Sequence, residues 1–405
     1  MIEPRAGAPE RGPDSRPSAQ PDIVSAIHAP VGQPLGVVPR LAGYRMIKSL
    51  EVENFRAFRE LQLHDLPTVN IVVGRSASGK TALLEAIRLA LGATPQVAWN
   101  LNAVRGLLIA MPFNPPREIF ESAWNSYFFD FDITKEIVFK ITDGDDKEAS
   151  LRMFFDKDQP VTPGISSPAQ PHFPTLVSTI IPLAFQRSSF AGEESKLHAT
   201  IATQAQGQLF LQQGPELGTV TEFFPATWQS NAQQVATWFS NLRIAGRAKD
   251  IVSIIHKQFP EIKDISSEVP QPGLGSLYAT VAHRSRSMPV SLVSSGINKF
   301  ISLLIAIRTY RNGVILIDEI ENGVYFQMFP ALWEALHSFA VQNNTQLFLS
   351  THSWECLKAA ADVVDNHRKD FALIQVVQQR GVSVARIATG DKAAGAIEAD
   401  IEVRK

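Results

Sequence analysis

The sequence predicts an α/β fold carrying a compact inserted lobe, and three observations predict it. Two short apolar runs, Val69 to Val73 and Val314 to Ile317, have the unbroken character of strands buried on both faces. Each run stops at residues suited to phosphate or cation chemistry, Gly74 onward in one case and Asp318-Glu319 in the other. An amphipathic segment follows the first run: Leu83, Ile87 and Leu91 recur at i, i+4 and i+8, and Gly92 stops the helix.

The remaining elements follow in order. From Met46, Ile47, Leu50 and Val52 lead through Asn54-Phe55-Arg56-Ala57-Phe58 to Leu61 and Leu63, the pattern of two antiparallel strands. Strands are expected at Lys135 to Ile141, Leu151 to Phe155 and Thr175 to Phe185, and a helical stretch from Trp228 to Phe259. No sustained heptads occur there, so the insert is compact and not a coiled-coil arm. The α/β alternation then resumes with helix Ile297 to Arg308, strand Val314 to Ile317, helix Phe329 to Val341, strand Gln346 to Leu349 and helix Ser353 to Ala361. A hairpin, Ala372 to Val377 and Val382 to Ile387, turns at Arg380-Gly381 before a short helix. The expected organisation is therefore a tail at 1–45, a first part at 46–98, an inserted lobe at 99–289 and a last part at 290–405.

Composition narrows the function classes. The chain has 405 residues, is 45% apolar and carries a formal net charge of -2, so it offers no overall basic field for nucleic acid. Any DNA contact must be local, at His283-Arg284-Ser285-Arg286 or at Arg243, Arg247 and Lys249. No apolar run approaches the roughly 20 residues that cross a bilayer, and no membrane association is expected. The single cysteine, Cys356, excludes an internal disulfide and a cysteine-built metal site, in keeping with a cytoplasmic location. Its expected role is that of a small buried hydrophobe. Residues 1 to 44 are rich in proline and hold one aromatic, Tyr44, too little apolar surface to offset the entropy of folding. That tail is expected to be disordered, and it lacks the apolar block of a secretory signal.

Gly74-Arg75-Ser76-Ala77-Ser78-Gly79-Lys80-Thr81 matches the phosphate-binding loop G-x-x-x-x-G-K-[ST], and it sits between a buried strand and a helix as that motif requires. Backbone N–H groups at a helix N-terminus cradle phosphates, Lys80 would reach the β- and γ-phosphates, and the Thr81 hydroxyl would ligate Mg²⁺. Asp318 would hold the Mg²⁺ hydration shell, and Glu319 would polarise the water that attacks the γ-phosphate. His352 ends a third strand and could sense the γ-phosphate. Ser295-Gly296 opens a helix upstream of Asp318, which makes an anion site or an ordinary helix cap.

These elements in this order resemble the ABC-type ATPase heads of the RecF, SMC and OLD-like group, above all bacterial AAA-type ATP-binding proteins of the OLD-like kind. The resemblance rests on Asn54-Phe55-Arg56-Ala57-Phe58, the phosphate loop, Ile317-Asp318-Glu319-Ile320-Glu321-Asn322-Gly323 and Ser350-Thr351-His352-Ser353. It implies a P-loop NTPase of the ABC ATPase type that binds ATP with Mg²⁺ and hydrolyses it in a homodimer. It also implies that Asn54 and Arg56 lie against the nucleotide, that Ser295 and Gly296 contact the γ-phosphate bound by the other subunit, and that Gln186 watches Mg²⁺ and the attacking water. Ser76 stands where the family often has Asn, and Val293-Ser294-Ser295-Gly296-Ile297 is a plainer signature than usual. The chain ends 53 residues after His352, so no nuclease domain is expected.

Three functions are weighed. The resemblance implies an ATP-driven switch in DNA maintenance or defence against foreign DNA, acting through a separate effector protein. A transporter's nucleotide-binding subunit would have a much shorter interval than the 215 residues between Lys80 and Ser295. A scaffold that binds nucleotide without turnover would not need Glu319.

Overall fold

The computed structural model describes residues 46–107, 111, 115–162, 179–202, 208–217, 220–271 and 274–398. These belong to one unit of the chain, Arg40–Lys405, and the tail expected at 1–45 lies outside them. The chain opens with the hairpin β1 (Ile47–Phe55) and β2 (Phe58–Leu63), then runs through β3 (Val69–Val73) into α1 (Lys80–Gly92), α2 (Pro95–Val104) and α3 (Arg117–Ser122). Five strands follow: β4 (Ile137–Asp143), β5 (Glu148–Phe155), β6 (Leu183–Ser188), β7 (Glu194–Ala202) and β8 (Gln208–Leu211). They extend the first hairpin into a seven-stranded antiparallel sheet ordered β2-β1-β4-β5-β6-β7-β8.

The next strand, β9 (Val220–Phe224), leaves that sheet and pairs in parallel with a strand nearly a hundred residues later. Helices α4 (Ala232–Ile244) and α5 (Lys249–Gln258) come next, and a small sheet of β10 (Ile262–Glu268), β11 (Ser276–Val281) and β12 (Met288–Pro289). Then come α6 (Val290–Val293), α7 (Ser295–Thr309), β13 (Gly313–Ile317), α8 (Phe329–Asn343), β14 (Thr345–Thr351), α9 (Trp354–Lys358), α10 (Ala361–Asn366), β15 (Phe371–Gln379), β16 (Val382–Thr389) and α11 (Asp391–Glu398). The six-stranded sheet runs β16-β15-β3-β14-β13-β9, parallel except for β16.

The apolar runs read as doubly buried strands are so: every residue of β3, β13 and β14 is buried. Alternation along them divides the interior in two. Val69, Ile71, Val73, Ile315, Ile317, Leu347 and Leu349 face a core completed by α4, α5, α7 and α8. Val72, Val314, Leu316 and Phe348 face α1 and the antiparallel sheet. Gln346, fully buried in β14, joins the sheets: its side-chain oxygen accepts from Ile47 N at 2.9 Å, and its amide donates to the Ile47 and Pro67 carbonyls, each at 2.9 Å.

Two expectations are corrected. Residues 99–289 are not a separable lobe, because β4 to β8 extend the N-terminal hairpin and β9 is the edge of the parallel sheet. The stretch from Trp228 to Phe259 is two helices, broken where Gly246 takes a φ of +70° that a continuing helix cannot contain. The helix expected at Ser353 to Ala361 likewise breaks after Lys358 and restarts at Ala361.

Candidate nucleotide site

The loop between β3 and α1 is shaped by its two glycines. Gly74 has φ +151°, and a Cβ there would stand 2.2 Å from the Val376 carbonyl oxygen, so no other residue fits. Gly79, φ +110°, is the N-cap of α1 and supplies no side chain, which leaves the first-turn N–H groups for an anion. Between them Arg75, Ser76 and Ala77 form an exposed rim, while Ser78 is buried with a hydroxyl that lacks a hydrogen-bond partner. Ser383 in β16 braces the loop, its hydroxyl donating to the Ser78 carbonyl at 2.6 Å.

Lys80 is almost fully buried and folds back over the loop, donating from Nζ to the carbonyls of Gly74 at 2.9 Å and Arg75 at 3.0 Å. Burial pushes its ammonium below the usual lysine value, against the pull of Asp318, Glu319 and Glu321. A phosphate placed on the loop would meet that charge directly. Because β14 lies between β3 and β13, the ends of all three strands converge, and Thr81 Oγ1 donates to Asp318 Oδ2 at 2.8 Å. Ser350, at the end of β14, donates to Asp318 Oδ1 at 2.5 Å and accepts from Glu319 N at 2.8 Å. The loop thus has an anion cradle with an orphaned hydroxyl, and a hydroxyl–carboxylate pair of the hard oxygen type that Mg²⁺ prefers. The residues fit a Mg–nucleotide.

Beyond Asp318 the chain turns sharply at Glu319, whose φ of +52° is costly for a residue with a Cβ. The Glu319 carboxylate is half-exposed, accepts from Asn322 Nδ2 at 2.6 Å and stands 3.6 Å from His352 Nδ1. Glu321 is buried and holds the other side of that histidine. Its Oε1 accepts from the backbone N of His352 at 2.8 Å and of Ser353 at 3.1 Å, and it lies 2.9 Å from His352 Nδ1. Sequence alone assigns Ser350, Glu321 and Asn322 no role, although each adjoins Asp318-Glu319 or His352 in the chain; the fold shows which atoms they hold.

Three expected residues are not brought to the loop. Asn54 donates to the Glu136 carbonyl at 3.0 Å. Arg56 points inward to Glu85 on α1, at 2.7 Å, with its guanidinium over the Tyr127 ring. The hairpin itself does reach the loop, since the Phe58 ring packs beside Gly79 and the Ala57 carbonyl accepts from Ser383 N. Gln186 lies in the interior of β6, where its neighbour Arg187 contacts the Ala93 carbonyl at the C-terminus of α1. The phosphate loop is at the other end of that helix, about 20 Å away at 1.5 Å per residue. Strand alternation turns Gln186 to the face opposite Arg187 as well.

Ser295 and Gly296 occupy the first turn of α7, with Ser294 as the N-cap, and Gly296 packs against Gly323 and the backbone of Tyr325. The neighbours described for Gly296 are its own N-cap and the segment after Asp318-Glu319, not the loop. The second candidate DNA cluster is also partly internal: Arg247 donates to the Arg308 carbonyl and Asn343, and Arg243 pairs with Asp264. Cys356 is buried as expected, and burial pushes its thiol up to about 12.

Glu85 is the most buried charge near the loop, fully shielded, and it binds both Arg56 and Arg105, the latter at 2.6 and 2.9 Å. Glu85→Ala would leave the buried Arg56 without its counter-ion, and a loss of about 3 to 5 kcal/mol is expected in urea unfolding. A variant within 1 kcal/mol of the parent, on the order of a surface change, would refute this.

Comparison with known proteins agrees with this geometry. A model of the AAA domain family matches residues 49–162, and a model described as AAA domain, putative AbiEii toxin, Type IV TA system matches residues 217–356. The chain is 22% identical over 359 residues to an ATP/GTP phosphatase of Helicobacter pylori, covering 81% of this chain and 90% of that protein. Shorter likenesses are to the OLD nuclease of Thermus scotoductus, 35% over 80 residues, and to the DNA replication and repair protein RecF of Lactococcus lactis, 49% over 41 residues. These cover 18% and 10% of this chain, and 15% and 12% of those proteins. Among solved structures, an SMC head bound to the C-winged helix domain of ScpA aligns over 86% of this chain and 98% of its own at 12% identity, with a TM-score of 0.47. A phosphate loop, an Asp-Glu strand end and a histidine strand end meet at one edge of a parallel sheet, in a chain that two AAA-domain models match and that is similar to an ATP/GTP phosphatase, to RecF and to an OLD nuclease; it is a P-loop ATPase of α/β fold.

Proposed function

We propose that the ATPase works as an ATP-dependent dimer switch, in which the α7 N-terminus of one subunit closes over the phosphate loop of the other. The observation that carries this is an exposed apolar patch beside that N-terminus. Leu292 is 70% exposed, Tyr325 50% and Phe326 55%, and the last two rings stack edge to face at 4.7 Å. Tyr325 borders Gly296, and Phe326 lies seven residues after Glu319, so the patch is continuous with the candidate catalytic segment. Large apolar groups clustered on a surface favour a protein partner.

In this reading Lys80 and the loop N–H groups bind the phosphates, Thr81 and Asp318 hold Mg²⁺, Glu319 takes a proton from the attacking water, and Glu321 keeps His352 beside Glu319. Mg²⁺, when bound, neutralises charge on the β- and γ-phosphates. The switch would serve DNA maintenance or defence against foreign DNA through a separate effector, a reading supported by the likeness to RecF, to an OLD nuclease and to a toxin-associated AAA family. Among the described residues no helix is long and apolar enough to cross a membrane.

Light scattering of Glu319→Gln protein tests the switch. The 44.6 kDa chain should double in mass when ATP and Mg²⁺ are added, and Tyr325→Arg in the same background should abolish the doubling. A mass that ignores ATP at concentrations well above the ATP dissociation constant would rule the switch out.

A further inference from the structure

We propose that His337, His367 and Asp370 form a binding site for a divalent transition metal of the zinc class, separate from the nucleotide site. One ligand atom from each residue lies within 4.8 Å of the other two. His337 is buried on α8, and its ring is held between the His367 ring, at 4.0 Å between centroids and 27° between planes, and the Phe371 ring at 5.5 Å and 25°. Its Nε2 lies 2.9 Å from Asp370 Oδ2. Packing has therefore already oriented one imidazole toward a carboxylate, and the second imidazole lies against it.

The donor set suits the metal. Two imidazoles and one carboxylate are a common zinc ligand triad, with a fourth position left for water. Ligand atoms about a tetrahedral zinc with bonds of about 2.0 Å lie a little over 3 Å apart, so His337 and Asp370 are near that spacing now. His367 is exposed at the C-cap of α10, its ring stacked on His337, and its ligand nitrogen already lies within 4.8 Å of both other ligand atoms.

The position in the fold separates this site from the catalytic one. Asp370 immediately precedes β15, whose first residue, Phe371, pairs with Val69 at the start of β3. The phosphate loop leaves the opposite end of β3, some five residues and about 15 Å away. A bound metal would fasten α8, which follows the Asp318-Glu319 strand, to the turn that feeds β15 beside the phosphate-loop strand. Its effect is a structural clamp across the sheet and requires no redox step.

The test is calorimetric titration of Zn²⁺ into the full chain, freed of metal by chelation, at about pH 7.5 without nucleotide. His352 beside Glu321 is a second histidine–carboxylate pair, so the His352→Ala protein is titrated in parallel. The expected result is a site that persists in His352→Ala and weakens at least about 10-fold in His367→Ala, where an exposed side chain is removed and the fold is spared. Zn²⁺ should raise the melting temperature of the wild type and leave His367→Ala unmoved. Co²⁺ should give the wild type a visible absorption band that His367→Ala lacks. Equal zinc binding by wild type and His367→Ala, or zinc binding lost only in His352→Ala, would overturn the proposal, as would the absence of any binding heat. In that case His337 and Asp370 are an ordinary pair.

Discussion

Glu319→Gln is expected to keep its affinity for ATP and to lose about 10²- to 10⁴-fold in turnover. The carboxylate accepts from Asn322 Nδ2 at 2.6 Å, and among the described hydrogen bonds none ties it to the phosphate loop, so a glutamine of the same shape keeps the loop's own contacts. What it removes is the proposed proton acceptor. The strained backbone at Glu319 is held by the Ser350 hydroxyl on its own N–H, an interaction the substitution does not touch. Phosphate release measured beside equilibrium binding of a fluorescent ATP analogue separates the two effects. If binding and turnover fell together, Glu319 would be a structural residue and the general base would lie elsewhere. Lys80→Ala is the contrast, because in the proposed site its ammonium would face the phosphates and its loss should weaken binding itself.

Mixing Lys80→Ala protein with Ser295→Arg protein should restore about a quarter of wild-type ATPase from two inactive preparations, if each site is shared between subunits. In a two-fold dimer of that kind, a mixed dimer has one doubly damaged site and one with both Lys80 and Ser295 intact. Random exchange makes about half the dimers mixed, and independent sites then give about a quarter of full activity; coupled sites give less. Wild type mixed with Lys80→Ala reports whether exchange takes place. Should exchange occur without recovery, an ATP-dependent cross-link between subunits decides between coupled sites and a Ser295 that only begins a helix. The exposed Leu292, Tyr325 and Phe326 predict that the cross-link forms.

The strand ends of the candidate site were legible because each is a contiguous sentence in the sequence. Val69-to-Thr81, Val314-to-Glu319 and Gln346-to-His352 each combine a doubly buried run with a polar end, and local chemistry suffices to read them. The side chains that position those ends were not legible as such. Ser350 reaching Asp318, or Glu321 reaching His352, depends on β14 inserting between β3 and β13. Glu85 was indistinguishable from a surface glutamate on an amphipathic helix until Arg56 and Arg105 were seen against it.

Arg56 and Gln186 show why resemblance placed residues that the fold did not. A hairpin residue's position along the chain does not say which way its side chain turns, and here a fully buried carboxylate draws Arg56 inward. Gln186 ends a run of apolar residues as a site glutamine would, yet β6 meets α1 at the end farthest from the phosphate loop. Residues 99–289 looked like one insertion because strand pairing between distant segments leaves no local signal. By itself the sequence determined the fold class, the phosphate loop, the acidic strand end and the histidine, all of which depend on neighbours within about a dozen residues. Tertiary structure alone decided strand order, the inward turn of Arg56 and the clustering of His337, His367 and Asp370, because each depends on groups far apart in the chain meeting in space.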